Sequence, residues 1–145
     1  MPGWVQQGYD DYAKRLPREC QLVLKEIAPD KRGKSCDIAR IIKDEGERMV
    51  LAIAKGSYVV ALDMTGKAWT TPEMASALQR WLDSGQNVAL LIGGPEGLSD
   101  AVKQLANETW SLSNLTFPHP LVRIIVAEQL YRAWSLLNHH PYHRQ

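Results

Sequence analysis

Several features that betray a protein's business are missing from this sequence. It has only two cysteines, Cys20 and Cys36, in separate segments and without a CxxC pair, which argues against a disulfide framework and a structural zinc site. Both are read as buried or inert thiols. No apolar run approaches the roughly 20 residues that a bilayer-spanning helix needs, and residues 1–9 have neither the basic start nor the apolar core of a secretion signal. These absences predict a soluble, cytoplasmic protein. An excess of one charge is missing too: 17 Lys/Arg against 16 Asp/Glu leave a formal net charge of +1. That counts against a protein relying on a highly basic surface to hold nucleic acid. Neither GxGxxG nor GxxxxGK[ST] occurs, so nicotinamide and triphosphate binding lack motif support.

What is present describes one ordinary domain. With 145 residues, 45% hydrophobic and 23% charged, the chain can bury a normal core, and residues 1–145 are expected to form a single domain. Positive charge gathers at the ends. Residues 1–55 hold 11 Lys/Arg against 9 Asp/Glu, residues 56–117 hold 3 against 6, and residues 118–145 hold 3 against 1.

Hydrophobic spacing alternates between helix and strand. Val5, Tyr9, Tyr12 and Leu16 recur at helical intervals until Pro17 stops them. Residues 21–27 are short and branched, which predicts a strand. The basic loop of residues 29–34 precedes a helix with Ile38, Ile41, Ile42, Met49 and Ile53 on one side. Residues 58–62 form a continuous apolar run ending at Asp63, the pattern of a strand covered on both faces. Thr71-Pro72-Glu73 predicts a helix start with Thr71 as the cap, and Gly85 closes that helix. Residues 87–92 are the clearest buried strand. Gly93-Gly94-Pro95-Glu96-Gly97 then turns the chain toward a helix beginning near Ser99. A short strand over residues 110–112 and a long helix over residues 121–138 follow, then an aromatic, basic tail. This alternation predicts an α/β fold with a mostly parallel sheet and helices on both faces.

Open parallel sheets bind ligands beyond the carboxyl ends of their strands. Three segments reach that edge: Leu62-Asp63 with Gly66, the glycine turn at 93–97, and the polar run 111–120. Each also has a plainer reading. The glycines relieve a steric restriction in any tight turn, and the polar run is also what a surface connection looks like. His119 stands between Pro118 and Pro120, which restrict its backbone. His139, His140 and His143 raise the question of a metal, but Pro141 breaks the helical register and a third ligand is lacking, so no metal is expected. Arg132 has Glu128 four residues earlier, the spacing of a surface ion pair, and is equally a cation for phosphate or a base edge. Tyr142, His143 and Arg144 combine stacking and cationic groups, which suits an unpaired nucleotide, and also match a frayed terminus.

Four blocks, residues 91–97, 115–123, 128–133 and 140–144, together closely resemble the SPOUT-class methyltransferase family that acts on ring nitrogen N3 of a pseudouridine in large-subunit (23S) ribosomal RNA. The resemblance runs along essentially the whole chain. It implies a trefoil knot at the carboxyl end, an exception to the rule against threaded chains, and a homodimer. It implies S-adenosylmethionine as cofactor, held through backbone contacts by Leu62, Gly93, Leu112, Ser113, Asn114, Leu115, Thr116 and Phe117, with Gly94 a neighbour. It places His119, Arg132, Tyr142 and Arg144 near the target base. Members usually begin with about ten more residues, forming a strand before the first helix. Either translation starts upstream or this sheet has one strand fewer.

Methyl transfer from a sulfonium needs in-line positioning and no metal. The imide nitrogen must lose its proton, which assigns His119 to orient the base or assist proton removal and Arg132 to stabilise negative charge or grip phosphate. A near-neutral chain suits recognition of an assembled ribosomal surface. Two rivals stand beside this: another small-molecule enzyme on a doubly wound sheet, which would not bind S-adenosylmethionine, and a non-catalytic dimeric RNA-binding module, which would associate with ribosomes without cofactor.

Overall fold

A computed structural model describes residues 2–27, 37–94 and 96–144, without the side chains of His143 and Arg144. The basic loop, Cys36 and Pro95 lie outside the described residues. In chain order the elements are α1 (Gly3–Ala13), a 3-10 turn (Arg18–Cys20), α2 (Ile38–Ala52), β1 (Tyr58–Ala68), α3 (Thr71–Ser84), β2 (Val88–Ile92), α4 (Asp100–Leu105), β3 (Glu108–Ser111), α5 (His119–Leu137) and a second 3-10 turn (Pro141–Arg144). They divide into two compact units, Leu24–Ala68 with Asn87–Asn114, and Met1–Val23 with Trp69–Gln86 and Leu115–Gln145. Among the described residues no helix is long and apolar enough to cross a membrane.

The first unit holds the sheet, in the order β2-β1-β3. Both pairings are parallel, as the alternation of strands and helices predicts. Val59, Ala61, Leu91, Leu98 and Val102 form its buried core, and Met49 and Ile53 of α2 pack against them. Val60, whose side chain points to the opposite face from Val59 and Ala61, is also fully buried. The continuous apolar run therefore reads correctly as a strand covered on both faces. Complete burial of a side chain such as Val60 contributes about 1.5–3 kcal/mol.

β1 continues past its expected end at Asp63. Leu62 and Lys67 both stand opposite Trp110, so residues 63–66 loop out of the ladder before pairing resumes. Gly66 makes the excursion possible, because a Cβ there would lie 2.6 Å from the Thr109 carbonyl carbon and oxygen. The Asp63 carboxylate ties the loop down. It accepts the Thr65 amide at 3.2 Å and the Thr65 hydroxyl, and lies 3.6 Å from Lys103 Nζ.

Residues 21–27 are not a strand. They belong to no strand of the described residues, and none of them is buried, with Val23 64% exposed. Branched residues favour an extended chain, but a strand exists only where a neighbour completes its hydrogen bonds.

The second unit is helical, with α5 packed against both α1 and α3. Its core combines Val5 and Tyr9 of α1, Met74, Leu78 and Trp81 of α3, and Val126, Ala127 and Leu130 of α5. α1 ends at Ala13, before Leu16. The cap of α3 is Thr70 and not Thr71. The Thr70 hydroxyl accepts the Glu73 amide at 3.3 Å and Glu73 Oε1 accepts the Thr70 amide at 3.1 Å, a closed capping box. α5 starts at His119, two residues before the expected Leu121, because Pro120 is tolerated in a first turn where no amide partner is required.

The end of α5 sends the tail back along the helix. His139 has φ +58°, its amide donates to the Leu136 carbonyl at 3.4 Å, and the His140 amide donates to the Ser135 carbonyl at 2.8 Å. This is a Schellman closure with histidine in the left-handed position that glycine usually fills.

Candidate active site

In the sheet unit β1 loops out of the ladder at Leu62, level with the carboxyl end of β2 and one residue short of that of β3. Leu62 is flanked in register by Ile92 and Trp110. Gly93 and Gly94 therefore leave the sheet on one side of Leu62, and Leu112, Ser113 and Asn114 leave on the other. Gly93 sits against the next turn: a Cβ would lie 2.6 Å from the Gly97 carbonyl carbon and 2.9 Å from the Leu98 nitrogen. The Gly97 amide donates to the Gly94 carbonyl at 2.9 Å, and Gly97 takes φ +83°, a conformation costly to other residues. On the opposite flank the Ser111 hydroxyl donates to the Ser113 carbonyl at 3.1 Å. Hydrogen bonds to Thr65 and the Lys103 ammonium hold the Asp63 carboxyl below its ordinary range, against the opposing effect of burial.

One group at this edge escaped the sequence reading. Glu45 of α2 brings Oε1 within 3.6 Å of where a Gly94 Cβ would stand. It sits mid-helix, in a stretch whose charge pattern looks like any solvated face.

The remaining expected residues lie in the helical unit. Leu115 and Thr116 are exposed, while Phe117 and His119 are half-buried. Around the carboxyl end of α5, Glu128 Oε1 accepts Arg132 Nε at 2.9 Å and Nη2 at 2.6 Å. The same oxygen accepts the Tyr142 hydroxyl at 3.0 Å, and Gln129 Nε2 donates to the other oxygen at 2.7 Å. The guanidinium lies over the Tyr142 ring, 5.1 Å from its centroid. Tyr131 touches Tyr142 at 4.7 Å and stacks on Trp134 at 5.9 Å, and His140 stands 6.3 Å from Trp134. Arg15 of α1 covers both Tyr12 and Tyr131, at 5.1 and 5.5 Å. Arg132 and Tyr142, ten residues apart in sequence, are thus brought together by the reversal at His139. The Arg144 side chain lies outside the described residues. Tyr131, Trp134, Arg15 and the central role of Glu128 were not found from sequence, because helical spacing shows Glu128 beside Arg132 but not the tail folding back over both.

His119 does not join this cluster. It opens α5, and Arg132 lies 13 positions further along the same helix, about 20 Å at 1.5 Å per residue.

Two pKa shifts follow from the cluster. The hydrogen bonds that Arg132 donates to Glu128 hold its proton more firmly than usual, against burial. Burial first, and then the hydrogen bond to Glu128, push the Tyr142 phenol well above its ordinary value. Elsewhere, burial and Glu19 push the Cys20 thiol up to about 11, so it is an inert thiol near neutrality. No cluster of three potential metal ligands occurs among the described residues. A groove of about 810 Å³ between α2 and α4, lined by Ile42, Gly46, Val50 and Leu98, includes none of the strand-end residues above.

Comparison with known proteins covers both units. A family model described as Predicted SPOUT methyltransferase matches residues 1–143. The Ribosomal RNA large subunit methyltransferase H of Methylococcus capsulatus is 63% identical over 144 residues, spanning 99% of this chain and 93% of that protein.

Proposed function

The chain belongs to the SPOUT methyltransferase family, and from that premise we propose that it moves the methyl group of S-adenosylmethionine to ring nitrogen N3 of a pseudouridine in large-subunit ribosomal RNA, in the cytoplasm and on assembled ribosomes. The observation that carries the proposal is the 63% identity to a ribosomal RNA large subunit methyltransferase, maintained over 99% of the chain. The proposal treats residues 1–145 as one methyltransferase domain with a trefoil knot, working as a homodimer.

The donor set at the sheet edge suits the cofactor. Backbone groups at Leu62, Gly93 and Gly94 and at Leu112, Ser113 and Asn114, with leucines beside them, suit an adenosine and an amino-acid moiety without a metal, and the family resemblance assigns Leu115, Thr116 and Phe117 to the same cofactor. Bound there, S-adenosylmethionine supplies an electrophilic methyl on a good neutral leaving group. The chain's own residues have two tasks. They hold N3 in line with the C–S bond that breaks as the N–C bond forms, and they take the imide proton. His119 is assigned to orient the base and assist removal of that proton. Arg132 is assigned to the negative charge developing on a ring oxygen or to phosphate, with Tyr142 and Arg144 stacking on and gripping the nucleotide.

One α5 cannot bring His119 and Arg132 to the same base, since about 20 Å separates them along the axis. A homodimer would bring the two groups to one base from different protomers. Each site takes His119 from one protomer and the Arg132–Tyr142 cluster from the other.

The test is transfer of labelled methyl from S-adenosylmethionine to ribosomes lacking the modification, followed by mapping of the label. Label in a pseudouridine of large-subunit RNA supports the proposal. Ribosome association without cofactor and without transfer would instead mark a non-catalytic module. Changing either His119 or Arg132 to alanine should slow single-turnover transfer at least tenfold, and an unchanged rate removes that residue from its assigned role.

A further inference from the structure

The strongest unassigned feature is the carboxylate of Glu128. One oxygen receives three donors, two from Arg132 and one from Tyr142, and the second oxygen is engaged by Gln129. The ion pair is largely withdrawn from water, with the Arg132 and Glu128 side chains 21% and 15% exposed. In such a place a charge is weakly screened, and its neighbours feel it strongly.

We propose that Glu128 is a positioning and specificity-determining residue for RNA: it orients Arg132 and the returning tail, and by neutralising the guanidinium keeps this cluster from gripping nucleic acid indiscriminately. The proposal rests on the functional reading above. Two consequences follow from the geometry. First, Nε and Nη2 of Arg132 both address the same Glu128 oxygen, which fixes the plane of the guanidinium, and the guanidinium carbon lies over the Tyr142 ring, 5.1 Å from its centroid. A phosphate or base edge approaching the cluster therefore meets a cation of defined direction. Second, a phosphate must compete with a carboxylate already in place. Binding through charge alone is weakened, and a correctly shaped nucleotide that also stacks on Tyr142 is favoured by comparison. That agrees with a chain of net charge +1, which gives no general attraction to RNA.

Glu128→Gln separates this role from a structural one, because the amide keeps the size and an acceptor oxygen but removes the charge. The expected result is a split. Single-turnover methyl transfer to ribosomes falls at least tenfold, while affinity for an unrelated RNA hairpin rises several-fold and its salt dependence steepens by about one counterion. Tyr142→Phe retains the ring and removes the hydroxyl; it should slow transfer without tightening hairpin binding. The double variant should be little worse than Glu128→Gln alone, since both changes break one unit. Unchanged hairpin affinity and salt slope in Glu128→Gln overturn the proposal. So does a parallel loss of transfer, hairpin binding and thermal stability, which is what a merely structural residue would give. The hairpin arm needs no methyl transfer. If the wild-type chain methylates no ribosomal RNA, the functional reading fails, and the binding data still decide whether the Glu128 charge restrains Arg132.

Discussion

Gly93 carries two demands at once, a steric one and a chemical one. Its missing side chain lets the Gly97 backbone approach, and its place beside Leu62 gives it to the proposed cofactor site. Gly93→Ala should therefore cost stability, about 1–3 kcal/mol as for other overpacked positions, and weaken S-adenosylmethionine binding in calorimetry. Tyr9 shows the opposite case. Its hydroxyl is buried without a hydrogen-bond partner among the described residues, and burial, with help from Asp10, pushes its pKa up to about 12. An unpaired polar atom in a core costs more than it returns. Tyr9→Phe should raise the urea midpoint, corresponding to about 1 kcal/mol, with methyl transfer unchanged.

Elements show how far local pattern reaches. Helices α2, α3 and α5 and strands β1 and β2 are legible because periodicity and punctuation agree: Asp37 caps α2 through the Arg40 amide, and Gly85 ends α3 at φ +70°. Residues 21–27 mislead because a strand is a property of two chains, and composition reports on only one. The loop-out at 63–66 is hidden for a related reason. Asp63 and Gly66 signal an ending, and only pairing with Trp110 shows that the strand resumes. At the site, the strand-end glycines were visible as punctuation, whereas the Glu128–Tyr142 contact depends on a reversal at a histidine that sequence rules assign to glycine. That substitution makes a prediction: His139→Gly should stabilise the helical unit by about 1 kcal/mol, measured by urea unfolding. The loop-out makes another. The Asp63 pKa is lowered from 3.8 on folding, so its contribution is present above that value and lost as pH falls through the lower folded value. Asp63→Asn should flatten the acid side of the stability profile relative to wild type.

For the whole molecule, the separation of His119 from Arg132 along one helix has a sharp consequence. If the two act on one base from different protomers, mixing the slowed His119→Ala and Arg132→Ala variants should restore activity, since a mixed dimer contains one intact site. Random exchange predicts about a quarter of the wild-type rate, and no recovery despite proven exchange would place both groups in the same protomer. The tail assigned to that proposed site also lies against an indole. Trp134 stacks on Tyr131 and meets His140 where the chain turns back, so its emission depends on whether the tail stays against α5. The protein thus has its own dye: a ribosome that draws the tail away will change tryptophan fluorescence, and the rate of that change times the engagement.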